Sequence, residues 1–197
     1  MLVIGNGESR KDIDINKYGS IKVGCNAIFR DFYVNHLICC DRRMVTEAQQ
    51  ERNYGAIYTR PDWRDEFKLC GLVPQLPYKG DTRPDDPWHW GSGPYAVLLG
   101  TSIANRFSSG NTEISMIGFD LYSETKTVNN IYKGTENYED TESRPIDPSY
   151  WIYQIDKVFE NFPDTTFYYY NNKPWPTKQT NVCNKMVIEF DIDNETT

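Results

Sequence analysis

Short apolar runs, each stopped by a polar residue or a glycine, set the rhythm of the N-terminal third of the chain. Leu2-Val3-Ile4 stops at Gly5-Asn6-Gly7, Ile21 to Cys25 at Asn26, His36 to Cys40 at Asp41, and Ala56 to Thr59 at Arg60-Pro61. Each run is apolar at successive positions, so both faces are covered, which is the pattern of central strands in a parallel sheet. A different period follows. Gly91-Ser92-Gly93-Pro94 leads into Tyr95 to Ala104, which is apolar nearly all round. Small residues and a proline in the first turn predict the start of a helix buried against the sheet. Ile114 to Asp120 predicts the next strand, Ser149 to Asn161 a second helix, and Thr165 to Tyr170 a β-branched and aromatic strand. Met186 to Phe190 predicts one further strand.

Strands alternating with helices predict an α/β fold: a single doubly wound, mostly parallel sheet with helices on both faces, Rossmann-like. The expected layout is one α/β domain over residues 1–171 and a C-terminal extension over 172–197 with a loose end. Between the strand ending at Asp120 and the second helix, Leu121 to Ile146 is polar and without periodicity. A connection that long inside a compact domain suggests an active-site loop or lid. In doubly wound sheets ligands bind outside the carboxyl ends of the strands.

Composition narrows the function classes. With 197 residues, 39% hydrophobic, and a net charge of −7, the chain can bury a core but has the wrong sign for a general nucleic-acid binder. No apolar stretch is long enough to span a membrane and no basic region precedes Met1-Leu2-Val3-Ile4, so a soluble, cytoplasmic protein is expected. The five cysteines show no C-x-x-C spacing and are read as small hydrophobes in a reducing compartment.

The polar turns that end the strands are the candidates for chemistry. Gly5 and Gly7 permit a tight turn and close approach of a ligand, with Asn6 and Ser9 beside them. Ser92 and Gly93 open the buried helix, where free amides suit a phosphate. Asn26, Asp41 and Asp120 end three other strands. The spacing is neither the dinucleotide G-x-G-x-x-G nor a Walker loop. His36 is expected to be structural, and Trp88-His89-Trp90 reads equally as a packed aromatic loop.

In order, G-N-G-E-S, C-N, the strand ending in Asp41, S-G-x-Y-A-x-x-L and I-G-F-D-L-Y resemble the bacterial sialyltransferases of glycosyltransferase family 42 and the wider MptE-like (6-hydroxymethylpterin diphosphokinase-like) group. The resemblance runs from Leu2 to about Asn171. It implies a glycosyltransferase with a CMP-sugar-like nucleotide-sugar donor, a glycan or small-molecule acceptor, no required cofactor or metal, and assembly as a homo-oligomer. Asn6, Gly7 and Ser9 would lie against the phosphate and ribose, Asn26 against the sugar or base, and Ser92 and Gly93 near the donor. Tyr122 and Tyr132 would hold the departing phosphate. The family's catalytic histidine has no counterpart between Asp120 and the second helix, which leaves Asp147, or His89 elsewhere, as the proton acceptor. Asp41 stands where the family carries asparagine. The MptE-like alternative implies Mg²⁺ held by Asp41 and Asp120, acting in diphosphate transfer; a non-catalytic nucleotide-binding relative is the third reading.

Overall fold

The computed structural model describes residues 1–73, 90–108 and 110–194. Strands β1 (Leu2–Ile4), β2 (Lys22–Cys25), β3 (Val34–Ile38), β4 (Tyr54–Thr59), β5 (Gly71–Leu72), β6 (Thr112–Ile117), β7 (Thr165–Tyr170) and β8 (Val182–Lys185) form one sheet. Their order is β5-β4-β3-β2-β1-β6-β7-β8, and each neighbouring pair is parallel. The sheet grows in one direction from β1 to β5 and in the other from β6 to β8. The order therefore reverses between β1 and β6, a topological switch point.

Side chains alternate between two cores, one on each face of the sheet. Val3, Val23, Ile114, Met116, Phe167 and Tyr169 pack under α2 (Ser92–Phe107) and α3 (Ser149–Asn161). Leu2, Ile4, Leu37, Ile117 and Tyr170 face the other way, beneath α1 (Arg42–Glu51) and α4 (Glu189–Asn194). Because β1 and β2 are covered on both sides, their runs lack the polar alternation of a half-exposed strand. Each fully buried aliphatic or aromatic side chain contributes about 1.5–3 kcal/mol, so even the three-residue β1 is firmly anchored. The helices lie on both faces, as the sequence predicts.

Two details differ from the sequence reading. The last strand is β8, not Met186 to Phe190, and the latter segment instead leads into α4. Phe190 is fully buried, edge-on to both Tyr18 and Tyr170 at 5.0 Å. The apolar residues after β8 thus serve a helix that caps the far core, while Val182 to Lys185 pair in register with Phe167 to Tyr170. In addition, short 3-10 turns at Glu8–Arg10, Ile15–Lys17 and Asn26–Arg30 carry the first two crossovers, where full helices would be usual. Among the described residues no helix is long and apolar enough to cross a membrane.

Candidate functional site

At the switch point the backbones of β1 and β6 run into glycines that nearly touch. A Cβ on Gly5 would lie 2.2 Å from the Gly118 carbonyl oxygen, and Gly118 itself takes φ +73. Gly5 N–H donates to Ile117 O and Gly7 N–H to Gly118 O, both at 2.8 Å, so the two turns are stitched together. A Cβ on Gly7 would meet the Asp120 carboxyl at 2.5 Å. Only glycine fits such approaches.

The stitched turns floor a cavity of about 250 Å³. Asn26 and the first turn of α2 (Ser92, Gly93, Pro94) form one side, and Phe119, Leu121, Trp151, Ile155 and Trp175 give it apolar walls. Trp151 and Ile155 are four residues apart and share one face of α3. Ser92 Oγ accepts from Cys40 N–H at 3.0 Å, and Gly91 N–H donates to Gln154 Oε1 at 3.3 Å, which fixes the entry to α2. Asn26 sits at φ 49, a left-handed conformation, and its Oδ1 is buried with no partner among the described residues. Held strain and an unmet acceptor at a cavity wall are features of ligand-facing residues.

The predicted residues divide among three cavities. Asn6, Gly7, Asn26, Ser92, Gly93 and Asp120 line the first. Ser9 and Tyr122 line a second, of about 230 Å³, which shares Asp120, Leu121 and Asn129 with the first. Asp41 lines a third, more open one, beside Arg42, Arg43 and Arg60, which shares Asn26, Gly91 and Ser92 with the first. Asp41 also caps α1 by accepting from Arg43 N–H at 2.8 Å. Burial pushes its carboxyl up, but hydrogen bonds and charge from Arg43 outweigh that and leave it lowered. Asp120 accepts from Ser9 N–H and from Asn171 Nδ2, each at 2.8 Å. Asp41 and Asp120 therefore share no cavity, and the two-carboxylate Mg²⁺ site does not fit this arrangement. Among the described residues no three His, Cys, Asp or Glu side chains converge as metal ligands do.

Other expected residues lie apart from the first cavity. Tyr132 is buried, and its hydroxyl donates to Asp31 Oδ2 at 2.6 Å while accepting from Arg10 Nη2 at 3.1 Å. Asp147 is exposed, accepts from Ser149 N–H at 2.9 Å just ahead of α3, and is lowered by Ser149 hydrogen bonds. It lines none of these cavities. His89 lies outside the described residues. His36 is half-buried in β3, its Nδ1 3.2 Å from Tyr58 Oη, and desolvation lowers its pKa.

Sequence reasoning missed the group that holds the floor in place. Arg10 is 2% exposed; its Nε donates to Gly5 O at 2.6 Å and its Nη2 to Asn6 Oδ1 at 3.4 Å. Asn6 Nδ2 in turn donates to Cys25 O and to Tyr138 Oη, both at 3.0 Å. The Asn6 side chain is thus occupied with ordering the turn, and its backbone carbonyl accepts from Ile131 N–H. Arg10 follows the G-N-G-E-S turn directly, yet nothing in its neighbourhood distinguishes it from a surface arginine.

No protein-family model matches the sequence, and no curated protein matches it. Among solved structures, the chain is similar to the sialyltransferase CST-II in complex with trisaccharide acceptor and CMP. The identity is 12%, the match covers 99% of each chain, and the TM-score is 0.46.

Proposed function

We propose that the first cavity binds a nucleotide-linked sugar of the CMP-sugar kind and that the protein transfers the sugar to a hydroxyl acceptor. The supporting observation is the meeting, at one switch point, of two glycine turns, the N-terminus of α2 and a set of aromatic walls. In this reading the donor phosphate rests at the first turn of α2, whose amides and dipole favour an anion. The base and ribose occupy the space beside Trp151, Phe119 and Trp175, and Asn26 Oδ1 accepts from a donor hydroxyl or amine. The order of the G-N-G-E-S, C-N, S-G-x-Y-A and G-F-D-L-Y motifs supports the sugar as the group transferred.

The chemistry is direct displacement. The acceptor oxygen bonds to the anomeric carbon as the bond from that carbon to the phosphate oxygen breaks. The electron pair stays on the nucleotide phosphate, where the α2 amides stabilise the growing charge. The acceptor proton passes to Asp120, the carboxylate that lines both the first and second cavities, in place of Asp147.

A thermal-shift screen of nucleoside mono- and diphosphates tests the binding. A nucleotide at 100 times its dissociation constant adds about 2.7 kcal/mol, and the shift is expected for CMP, with or without EDTA. No shift with any nucleotide overturns the reading. Turnover of CMP-sialic acid or another CMP-sugar separates an enzyme from a non-catalytic relative. Binding without hydrolysis or transfer supports that second reading.

A further inference from the structure

Several residues of α3 serve the first cavity by different routes. Trp151 and Ile155 line it, and Gln154 Oε1 holds the Gly91 N–H at the entry to α2. Asp156, the next residue, lines none of the three cavities. It faces residues 171–181 instead, and its Oδ1 accepts from the Trp175 indole Nε1–H at 2.9 Å. Trp175 is itself part of the first cavity's wall.

Residues 171–181 connect β7 to β8 without a strand or helix of their own. A parallel crossover is usually carried by a helix, so this one depends on side chains for its place. Asn184 Oδ1 accepts from the Trp175 backbone N–H at 2.8 Å, and Asn181 Nδ2 faces the carbonyls of Phe159, Phe162 and Thr165. The Trp175 ring is 3% exposed and stands edge-on to Tyr169 at 5.2 Å and to Phe159 at 5.8 Å. Those rings locate the indole, and Asp156 engages its one polar atom. The plane that walls the cavity is therefore tied to a carboxylate outside it.

From this geometry we propose that Asp156 is a positioning residue for the first cavity: it sets the plane of Trp175, and the aromatic wall slackens when Asp156 takes up a proton. The effect on binding rests on the nucleotide base lying beside Trp175. Protonation exchanges a charge-assisted hydrogen bond for a neutral one about half as strong. Burial pushes the Asp156 carboxyl above its ordinary 3.8, against the hydrogen bonds from Trp175 and Thr177 and the charge of Lys157, while Glu160 adds to the rise. Both of those charges belong to α3, and residues 171–181 present Asp156 with the neutral Trp175 and Thr177. The slackening thus begins at a higher pH than for an exposed aspartate.

The test follows the tryptophan indole N–H resonances of the full chain by NMR, with CMP affinity measured in parallel by calorimetry. The Trp175 resonance is expected to move on acidification with a midpoint above 3.8, and to lose that step in Asp156→Asn. Asp156→Ala is expected to weaken CMP binding about fivefold, the cost of ordering a freed side chain on binding. Asp156→Asn keeps an acceptor oxygen without the charge. It is expected to restore most of that affinity, and its remaining gap to the parent protein to close as pH falls. Because CMP titrates in the same range, the two proteins are compared at each pH. A Trp175 resonance that ignores both pH and Asp156→Ala overturns the proposal, as does CMP bound equally well by the parent and Asp156→Ala. An Asp156→Asn protein as weak as Asp156→Ala overturns it too. A Trp175 step in a parent protein that binds no CMP retains the hold of Asp156 on the wall and removes the nucleotide reading instead.

Discussion

The floor of the first cavity and the polar segment over residues 121–146 meet at the same sheet edge but are built in opposite ways. The floor is backbone against backbone, with glycines at 5, 7 and 118 closing distances that no side chain permits. The segment has no strand or helix of its own and, apart from the Ile131 N–H bond to Asn6 O, is held to its surroundings by side chains. Arg30 grips Glu47 through two hydrogen bonds, at 2.5 and 2.7 Å, and reaches Thr135 Oγ1 and Glu136 O. Asn137, at φ 64, donates to the same Glu47, and Tyr132 and Tyr138 reach back to Arg10, Asp31 and Asn6. A backbone site tolerates no substitution at its glycines and leans on a single side chain, Arg10. A latched segment tolerates many substitutions and depends on a few distant residues.

The largest effect that separates the two constructions is expected at Gly5. Gly5→Ala forces a methyl group into the Gly118 carbonyl, and overpacking against backbone has no cheap relief. A loss of about 3 kcal/mol is expected in urea unfolding, together with loss of any CMP-induced shift. Gly110→Ala is the control: nothing lies within 4 Å of its added Cβ, so its effect stays within about 0.5 kcal/mol. Equal losses at the two positions would erase the distinction.

Arg10 joins the regions and should rank next. Arg10→Met retains the stem but leaves the Gly5 carbonyl and the Tyr132 hydroxyl without their charged donor. About 2 kcal/mol is expected. Tyr132→Phe removes one hydroxyl from the same chain and costs about 1 kcal/mol. If Tyr132 only tethers the segment, CMP affinity stays near that of the parent protein; a large loss would return it to the role of a phosphate ligand.

These two constructions also explain what could be read from the sequence. Glycines needed by the backbone leave a mark, so Gly5, Gly7 and the strand ends around them were legible in residue type and order. The sheet was legible too, because doubly buried strands are runs of apolar residues. The latch was not. Arg10, Arg30, Glu47 and Tyr138 are ordinary polar and aromatic residues whose partners lie up to 132 positions away, as for Asn6 and Tyr138. The aromatic walls were half legible: Trp151 and Ile155 share a helical face, but Trp175 enters from the polar tail. The choice between strand and helix after β8 was decided by a tertiary contact, Phe190 beneath Tyr18 and Tyr170.

Acid should loosen the latched region before the stitched one. The Arg30 hydrogen bond, more than the opposing burial, holds Glu47 below its ordinary value of 4.5. The folded state then binds fewer protons than the unfolded state in that range. The contribution of the pair is therefore complete above pH 4.5 and is lost as pH falls through the lowered folded value. Proteolysis between residues 121 and 146 is expected to accelerate on acidification while the Gly5 and Gly118 amides stay protected from exchange. Glu47→Gln should show the fast rate already at neutral pH.

The smallest effect is a labelling rate, and it reports directly on how the two regions meet. Burial pushes the Cys25 and Cys40 thiols up to about 12, and raises Cys39 and Cys70 as well. Thiolate-directed reagents at mildly alkaline pH should therefore modify Cys183, half-buried on β8 at the sheet edge, well before the others. Cys25 lines the first cavity, and its carbonyl accepts from Asn6 Nδ2, the same nitrogen that holds Tyr138. Its protection thus depends on both the stitched floor and the latched segment. In Glu47→Gln, where only the latch is weakened, a faster Cys25 reaction would show that the segment screens the cavity. An unchanged Cys25 rate beside accelerated proteolysis would show that the floor closes the cavity by itself.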